Sequence, residues 1–269
     1  MALISVDYFS SSLMRTTTVE IILPFDDPGD AMAADAAGDP ARYPRRRGPF
    51  RTLVLLHGIT GNHTDLIAES RIRRWAEDRG LAVVMPSGYN AFYLDQPETH
   101  NLYAQFVGDE LLRVARAMLP LSTRREDTFI GGLSMGAYGA LRNGLANCET
   151  FGGIVALSCA MVTSNLDQLV RDNPFFLRRD FLESTFGDLS KVQGSDKDPV
   201  RLAADLVYCD RPRPRVFLAC GQQDPLIEPN RYLARELAGK GLPVDFVEKP
   251  GGHDWDFWNR MLPRALDWL

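Results

Sequence analysis

TFIGGLSMGAYGALRNGLA, residues 128–146, sets four glycines, Gly131, Gly132, Gly136 and Gly139, around a single serine, Ser134. Glycine weakens both helices and strands, so its crowding between an apolar run and a helix-forming one needs a cause. Residues 132–136 form the pattern Gly-x-Ser-x-Gly, with TFIGG before it reading as a strand and MGAYGALRNGLA after it as a helix. A strand that turns sharply into a helix at a serine holds that residue in a strained backbone and lifts its side chain above the strand's C-terminal edge. Neighbours without side chains let the chains close in. That assigns Gly132 and Gly136, while Gly139 lets the helix approach the sheet. The same residues also fit a plain N-cap serine beside packing glycines, and the rest of the chain decides between the two.

Outward from this point, short β-branched runs recur: LISVDYF, TTTVEIILP, RTLVLLHG, LAVVMP, DTFIGG, GGIVALSC, PRVFLACG and PVDFVEK. From the third onward most are separated by helical patterns, over 62–79, over 105–119, and beginning near Ser134, Pro229 and Asp254. Strand–helix alternation predicts an α/β fold with a mostly parallel sheet of about eight strands and helices on both faces. The first two runs have no helix between them and predict an antiparallel edge ribbon. No linker divides the chain, so residues 1–269 are read as one domain with two irregular segments. Residues 26–50, rich in Pro, Gly, Asp and Ala, predict a surface loop. Its Arg45, Arg46 and Arg47 fit a solvated turn better than a phosphate site. Residues 164–213 fit no single crossover and predict a small cap-like insertion over the site.

Composition narrows the partners. The net charge of −5 offers no basic face for nucleic acid. No apolar run approaches the roughly 18 residues of a membrane-spanning helix, and MALISVDYFSSSLMRTT lacks the pattern of a secretory signal. Cys148, Cys159, Cys209 and Cys220 are widely spaced without a C-x-x-C pair. They are read as reduced, mostly buried thiols of a cytoplasmic protein.

A serine hydroxyl needs a base to become a nucleophile. In doubly wound hydrolases the order is serine, acid, histidine, and of His57, His63, His100 and His253 only the last follows Ser134. It lies in EKPGGHDWDFW, between the last strand and the last helix. The acid must follow a strand between them. RVFLACGQQDPLIEP supplies Asp224, three residues past Gly221, with Glu228 as its rival; Asp254 and Asp256 flank His253 too closely to orient its ring. Negative charge on a tetrahedral intermediate requires backbone donors, one after the nucleophile at Met135 and one from the loop LLHGITGNH at Ile59. His57, His63 and Asp65 are a competing metal-ligand set, but no second cluster accompanies them. No metal or organic cofactor is expected.

With these residues in view, the chain resembles the "Putative esterase" (esterase D-like) family of α/β-hydrolases, nearest to bacterial tributyrin, acetyl and feruloyl esterases. LLHGITGNHTDL is similar to the family's oxyanion loop, VVMPSGYNAFYLD to the stretch after its next strand, GGLSMGAYGAL to its elbow, CGQQDPLIEPN to its acid loop and GGHDWDFWNRMLPRALDWL to its histidine loop and final helix. The 26–50 loop is longer and more polar than the family pattern. The resemblance implies Ser134 as nucleophile, Asp224 as acid, His253 as base, and Ile59 and Met135 as oxyanion donors. It implies a serine carboxylesterase for short acyl esters of the acetyl or butyryl type, with acylated or feruloylated oligosaccharides as a further substrate class. Phe92, Tyr93, Trp255, Phe175 and Phe176 are the aromatic candidates for an acyl slot, with core packing as the competing role. The alternatives are an S-formylglutathione hydrolase-like thioesterase, an acyltransferase to a sugar or alcohol, and a catalytically dead scaffold. Whether copies of the chain associate as a homo-oligomer is left open by the sequence.

Overall fold

All eight apolar runs become strands in the computed structural model, which describes residues 1–25, 32, 36, 48–160, 166, 170 and 178–269. Most of the 26–50 loop, with Arg45, Arg46 and Arg47, lies outside the described residues, as do Phe175 and Phe176. The strands are β1 (Ala2–Ser10), β2 (Arg15–Leu23), β3 (Arg51–Leu56), β4 (Leu81–Pro86), β5 (Thr128–Leu133), β6 (Gly153–Leu157), β7 (Arg215–Gly221) and β8 (Val244–Lys249). They form one sheet in the order β1-β2-β4-β3-β5-β6-β7-β8. β1 and β2 pair antiparallel in unbroken register from Ala2 with Leu23 to Ser10 with Arg15, and β2 runs antiparallel to β4. Every other neighbour is parallel.

Among the described residues, the α-helices of five residues or more are α1 (Asp65–Glu69), α2 (Ile72–Asp78), α3 (Leu111–Met118), α4 (Met135–Ala146), α5 (Arg179–Phe186), α6 (Pro199–Tyr208), α7 (Ile227–Gly239) and α8 (Trp255–Trp268). Successive strand side chains point to opposite faces, and here both faces are buried. Leu53, Leu55, Val83, Phe129, Val155 and Phe217 pack with Ile72 of α2 and with Leu262 and Leu266 of α8. Val54, Leu56, Val84, Ile130, Ile154 and Leu218 pack on the other side with Leu111 of α3, Leu141 of α4 and Leu233 of α7. This explains why the central strands read as continuous apolar runs rather than alternating ones. Among the described residues, no helix is long and apolar enough to cross a membrane.

Three details differ from expectation. The helical pattern over 62–79 is broken at Ser70, whose extended backbone ends α1 and whose hydroxyl accepts the Ile72 amide at 3.1 Å at the start of α2. The pattern over 105–119 opens with a π-helical turn at Phe106–Glu110. It buries the Glu110 carboxylate, which accepts from the Ser11 hydroxyl at 3.0 Å and the Ser12 amide at 2.8 Å in the β1–β2 turn. Finally, part of the 164–213 segment is a helix packed against two others, α4 and α7. Asp198 caps α6 through the Val200 amide, and Ala203 and Leu206 are buried in the core shared with α4 and α7.

The glycines of the opening stretch divide by role. Ser134 joins β5 to α4 with φ 54° and ψ −118°, a region that residues with side chains adopt only under strain. A Cβ on Gly136 would collide with the Leu56 carbonyl and lie 2.6 Å from that of His57; one on Gly132 would lie 2.8 Å from the Leu56 oxygen. β3 and the elbow can be neighbours only if both positions lack side chains. Gly139 has a different task from the one expected: a Cβ there would meet the ring of Tyr93, 2.5 Å away, rather than the sheet.

Candidate active site

Three loops at the C-terminal ends of β5, β7 and β8 bring together side chains far apart in sequence. Ser134 follows β5, Asp224 lies three residues beyond the end of β7, and His253 lies between β8 and α8. His253 Nε2 is 3.0 Å from Ser134 Oγ, and its Nδ1 is 2.9 Å from Asp224 Oδ2. Asp224 is 1% exposed, and its second oxygen, Oδ1, accepts the Leu226 amide at 2.8 Å. Burial alone would raise its pKa. Hydrogen bonds from His253, the Leu226 amide and the Ser158 side chain outweigh that penalty and hold it below the ordinary aspartate value. Asp224 is therefore an anion at neutral pH, facing the imidazole nitrogen.

Ser158, just past β6, was not legible as a site residue. It is fully buried, has φ 50° and accepts the indole N–H of Trp258 at 3.1 Å. Trp258 meets the His253 ring edge-on, with centroids 5.1 Å apart. Trp258 is a core side chain of α8 that also steadies the imidazole. No local pattern reveals the pairing, because the two residues are one hundred positions apart. The rival acid, Glu228, is exposed and paired with Arg231. Asp254 caps α8 by accepting the Phe257 amide at 2.8 Å.

The loop after β3 runs beside the serine: a Cβ on Gly58 would lie 3.5 Å from Ser134 Cβ. Ile59 follows in that loop and Met135 opens α4. Among the described residues, neither amide donates to a backbone acceptor outside regular elements. His57 braces this loop. Its Nε2 accepts the Gly88 amide at 2.8 Å, so the proton sits on Nδ1 and donates to the Gly58 carbonyl at 2.7 Å. His63 Nδ1 lies 2.7 Å from the Ser87 hydroxyl. The two histidines thus tie the loops after β3 and β4 together. Among the described residues, no group of three His, Cys, Asp or Glu is arranged to hold a metal.

Burial pushes the His57 pKa below 6.5, and a proton on Nε2 would face the Gly88 N–H. The unfolded chain takes up that proton below about pH 6.5, whereas the folded chain resists it to lower pH. Stability is therefore expected to fall as pH drops below about 6.5 and to stop falling, for this group, at its folded pKa. Thermal melts between about pH 5 and 8 check this: His57→Gln is expected to melt lower at pH 8 but with a flatter pH dependence.

The aromatic candidates separate. Phe92 and Tyr93 are buried core side chains rather than the lining of a slot. Phe92 packs on Tyr138 and Phe186, and the Tyr93 hydroxyl donates to the His57 carbonyl at 3.1 Å. Left-handed backbone at Tyr89, Phe92 and Tyr93 folds this loop back onto the core, which the apolar string alone does not reveal. Trp255 is half-buried and rests edge-on against Trp258, with centroids 5.2 Å apart. The cysteines are free thiols, all buried except Cys209.

The comparisons with known proteins agree with this architecture. The model of the "Putative esterase" family matches residues 38–269. An acetyl esterase of Caldicellulosiruptor saccharolyticus is 38% identical over 270 residues, spanning all of this chain and 98% of that protein. Two Staphylococcus aureus structures are similar throughout. The substrate-bound fluorophosphonate-binding serine hydrolase F superposes with TM-score 0.83 at 29% identity, covering 99% of this chain and 97% of that one. The S-formylglutathione hydrolase FrmB does so with TM-score 0.81 at 31% identity, covering 99% and 98%. With a family match over most of its length and an esterase fold throughout, the chain belongs to the "Putative esterase" family of α/β-hydrolases and is a carboxylic ester hydrolase.

Proposed function

We propose that this esterase cleaves short-chain acyl esters through a covalent acyl-serine, with Ser134 as nucleophile, His253 as general base and acid, and Asp224 as the group that orients and charge-balances the imidazole. The observation that carries the reading is His253 spanning Ser134 and Asp224 through its two ring nitrogens, at 3.0 and 2.9 Å. An anionic Asp224 holds the proton on Nδ1, which leaves Nε2 bare toward the serine hydroxyl. Ser134 attacks the ester carbonyl as its proton passes to Nε2. His253 then returns that proton to the departing alcohol. Water, activated by the same nitrogen, releases the acid and restores the serine. The Ile59 and Met135 amides receive the oxyanion. Each such donor is typically worth about 3 kcal/mol of barrier, and the start of a helix adds its own partial positive charge.

The acetyl esterase relative supports an acetyl-sized acyl group. A nitrophenyl ester series from acetate to dodecanoate tests the reading. The expected result is the highest kcat/KM at acetate or butyrate, with at least about a tenfold decline toward the long chains. A preference for the long chains would contradict it. The S-formylglutathione hydrolase neighbour favours thioesters as a second substrate class, cleaved by the same steps with a thiolate leaving; an acyl thioester of matched chain belongs in the same series.

A further inference from the structure

A cleft of about 410 Å³ opens between the β1–β2 ribbon, the loop after β4 and α5, and Arg15 is the one charged side chain among its described lining residues. Its position is built rather than incidental. Nη1 donates to Asn101 Oδ1 at 2.6 Å and Nη2 donates to the Tyr103 hydroxyl. The guanidinium carbon lies 5.1 Å from the ring centre of Tyr89 and 5.7 Å from that of Tyr103, the geometry of cation–π contact. Both hydrogen-bond partners are neutral, and among the described residues Arg15 has no carboxylate partner. In a chain of net charge −5 that is an unusual way to hold a guanidinium. A guanidinium has five N–H donors, so three remain unspent on a group already fixed in place. Asn90, Gln96 and Ser184 add neutral polar atoms to the walls.

The cleft is joined to the reacting centre through one wall. Asn90 Oδ1 accepts the Thr60 amide at 2.8 Å, and Thr60 follows Ile59 in the loop whose Gly58 runs beside Ser134. Two peptide steps, about 7 Å of chain, separate Gly58 from the residue that touches the cleft wall.

We propose that this cleft is a carboxylate-binding subsite, with Arg15 as the group that receives the anion, so that preferred substrates are esters carrying a carboxylate remote from the scissile carbonyl. The inference rests on the esterase reading of Ser134. An immobilised guanidinium offers parallel donors to the two carboxylate oxygens, the strongest pairing available to a carboxylate.

The test compares acidic and neutral esters of equal length in two series. One places the carboxylate on the alcohol, as acetates of ω-hydroxy acids with increasing spacer beside the matching alkyl acetates. The other places it on the acyl chain, as nitrophenyl half-esters of dicarboxylic acids beside nitrophenyl alkanoates. The readout is the acid-to-neutral ratio of kcat/KM within each variant, so a general loss of activity cancels. In at least one series the ratio is expected to peak at one spacer length, at about ten- to a hundredfold, and to shrink in high salt. Arg15→Gln should bring it near one, and Arg15→Lys should keep part of it. Should the Arg15 variants fail to fold, Tyr89→Ala, at a position 62% exposed, removes one stacking wall and should lower the peak severalfold. A ratio near one at every spacer in both series, or a peak that survives Arg15→Gln, overturns the subsite. Failure of the wild-type protein to cleave any neutral ester would instead overturn the esterase reading beneath it.

Discussion

Ser134→Ala is expected to lower kcat by about a millionfold, because members of such a hydrogen-bonded unit lose nearly the whole acceleration when one is removed. The change deletes only an oxygen whose partner is His253 Nε2. Alanine keeps the Cβ and the left-handed backbone, so the elbow and the packing of Gly132 and Gly136 against β3 are expected to survive. Circular dichroism and melting temperature should stay near wild type while turnover collapses. Intact-mass measurement during turnover of a slow ester should find an acylated wild-type chain and an unmodified variant. Near-wild-type hydrolysis by Ser134→Ala would end the nucleophile assignment.

Asp224→Asn is expected to cost about ten thousandfold in kcat, and the surrounding bonds say why so conservative a change is so damaging. Asp224 accepts at both oxygens, from the Leu226 amide and from His253 Nδ1. An asparagine must turn its carbonyl toward the Leu226 N–H, which leaves its NH2 facing Nδ1. Two donors cannot share that contact, so the imidazole shifts to the tautomer with its proton on Nε2. That nitrogen can no longer take the serine proton. The signature is a fall in kcat with little change in KM, and partial recovery at high pH where hydroxide replaces the lost base. A loss of tenfold or less would mean that Asp224 does not set the tautomer.

The parts of this molecule that were legible beforehand share one property: their signal is local. β-branched runs bounded by turns marked all eight strands of the main sheet, and a glycine pair around Ser134 marked the elbow. The order of serine, acid and histidine singled out Asp224 and His253, since each lies just past a strand end. What stayed hidden depends on contacts between distant segments. The indole of Trp258 reaches Ser158 across one hundred positions, and Arg15 reaches Asn101 and Tyr103 across more than eighty. His57, which the sequence placed in the oxyanion loop with a competing metal-ligand role, is a brace because Gly88 donates to it from another strand's loop. Phe92 and Tyr93 were candidates for an acyl slot with core packing as the competing role, and left-handed backbone turns them into the core. Gly139 was correctly marked as a close approach, but toward Tyr93 rather than the sheet, because that loop had first to be folded inward.

The most direct measurement is active-site labelling with a fluorophosphonate, which reacts only with a serine whose hydroxyl is deprotonated in place. Peptide mapping of the labelled protein is expected to find one phosphonylated residue, Ser134, in the wild-type chain, and almost no labelling in His253→Ala at equal exposure. Labelling that persists at full rate in His253→Ala, or that falls on a serine other than Ser134, would contradict the account at its centre.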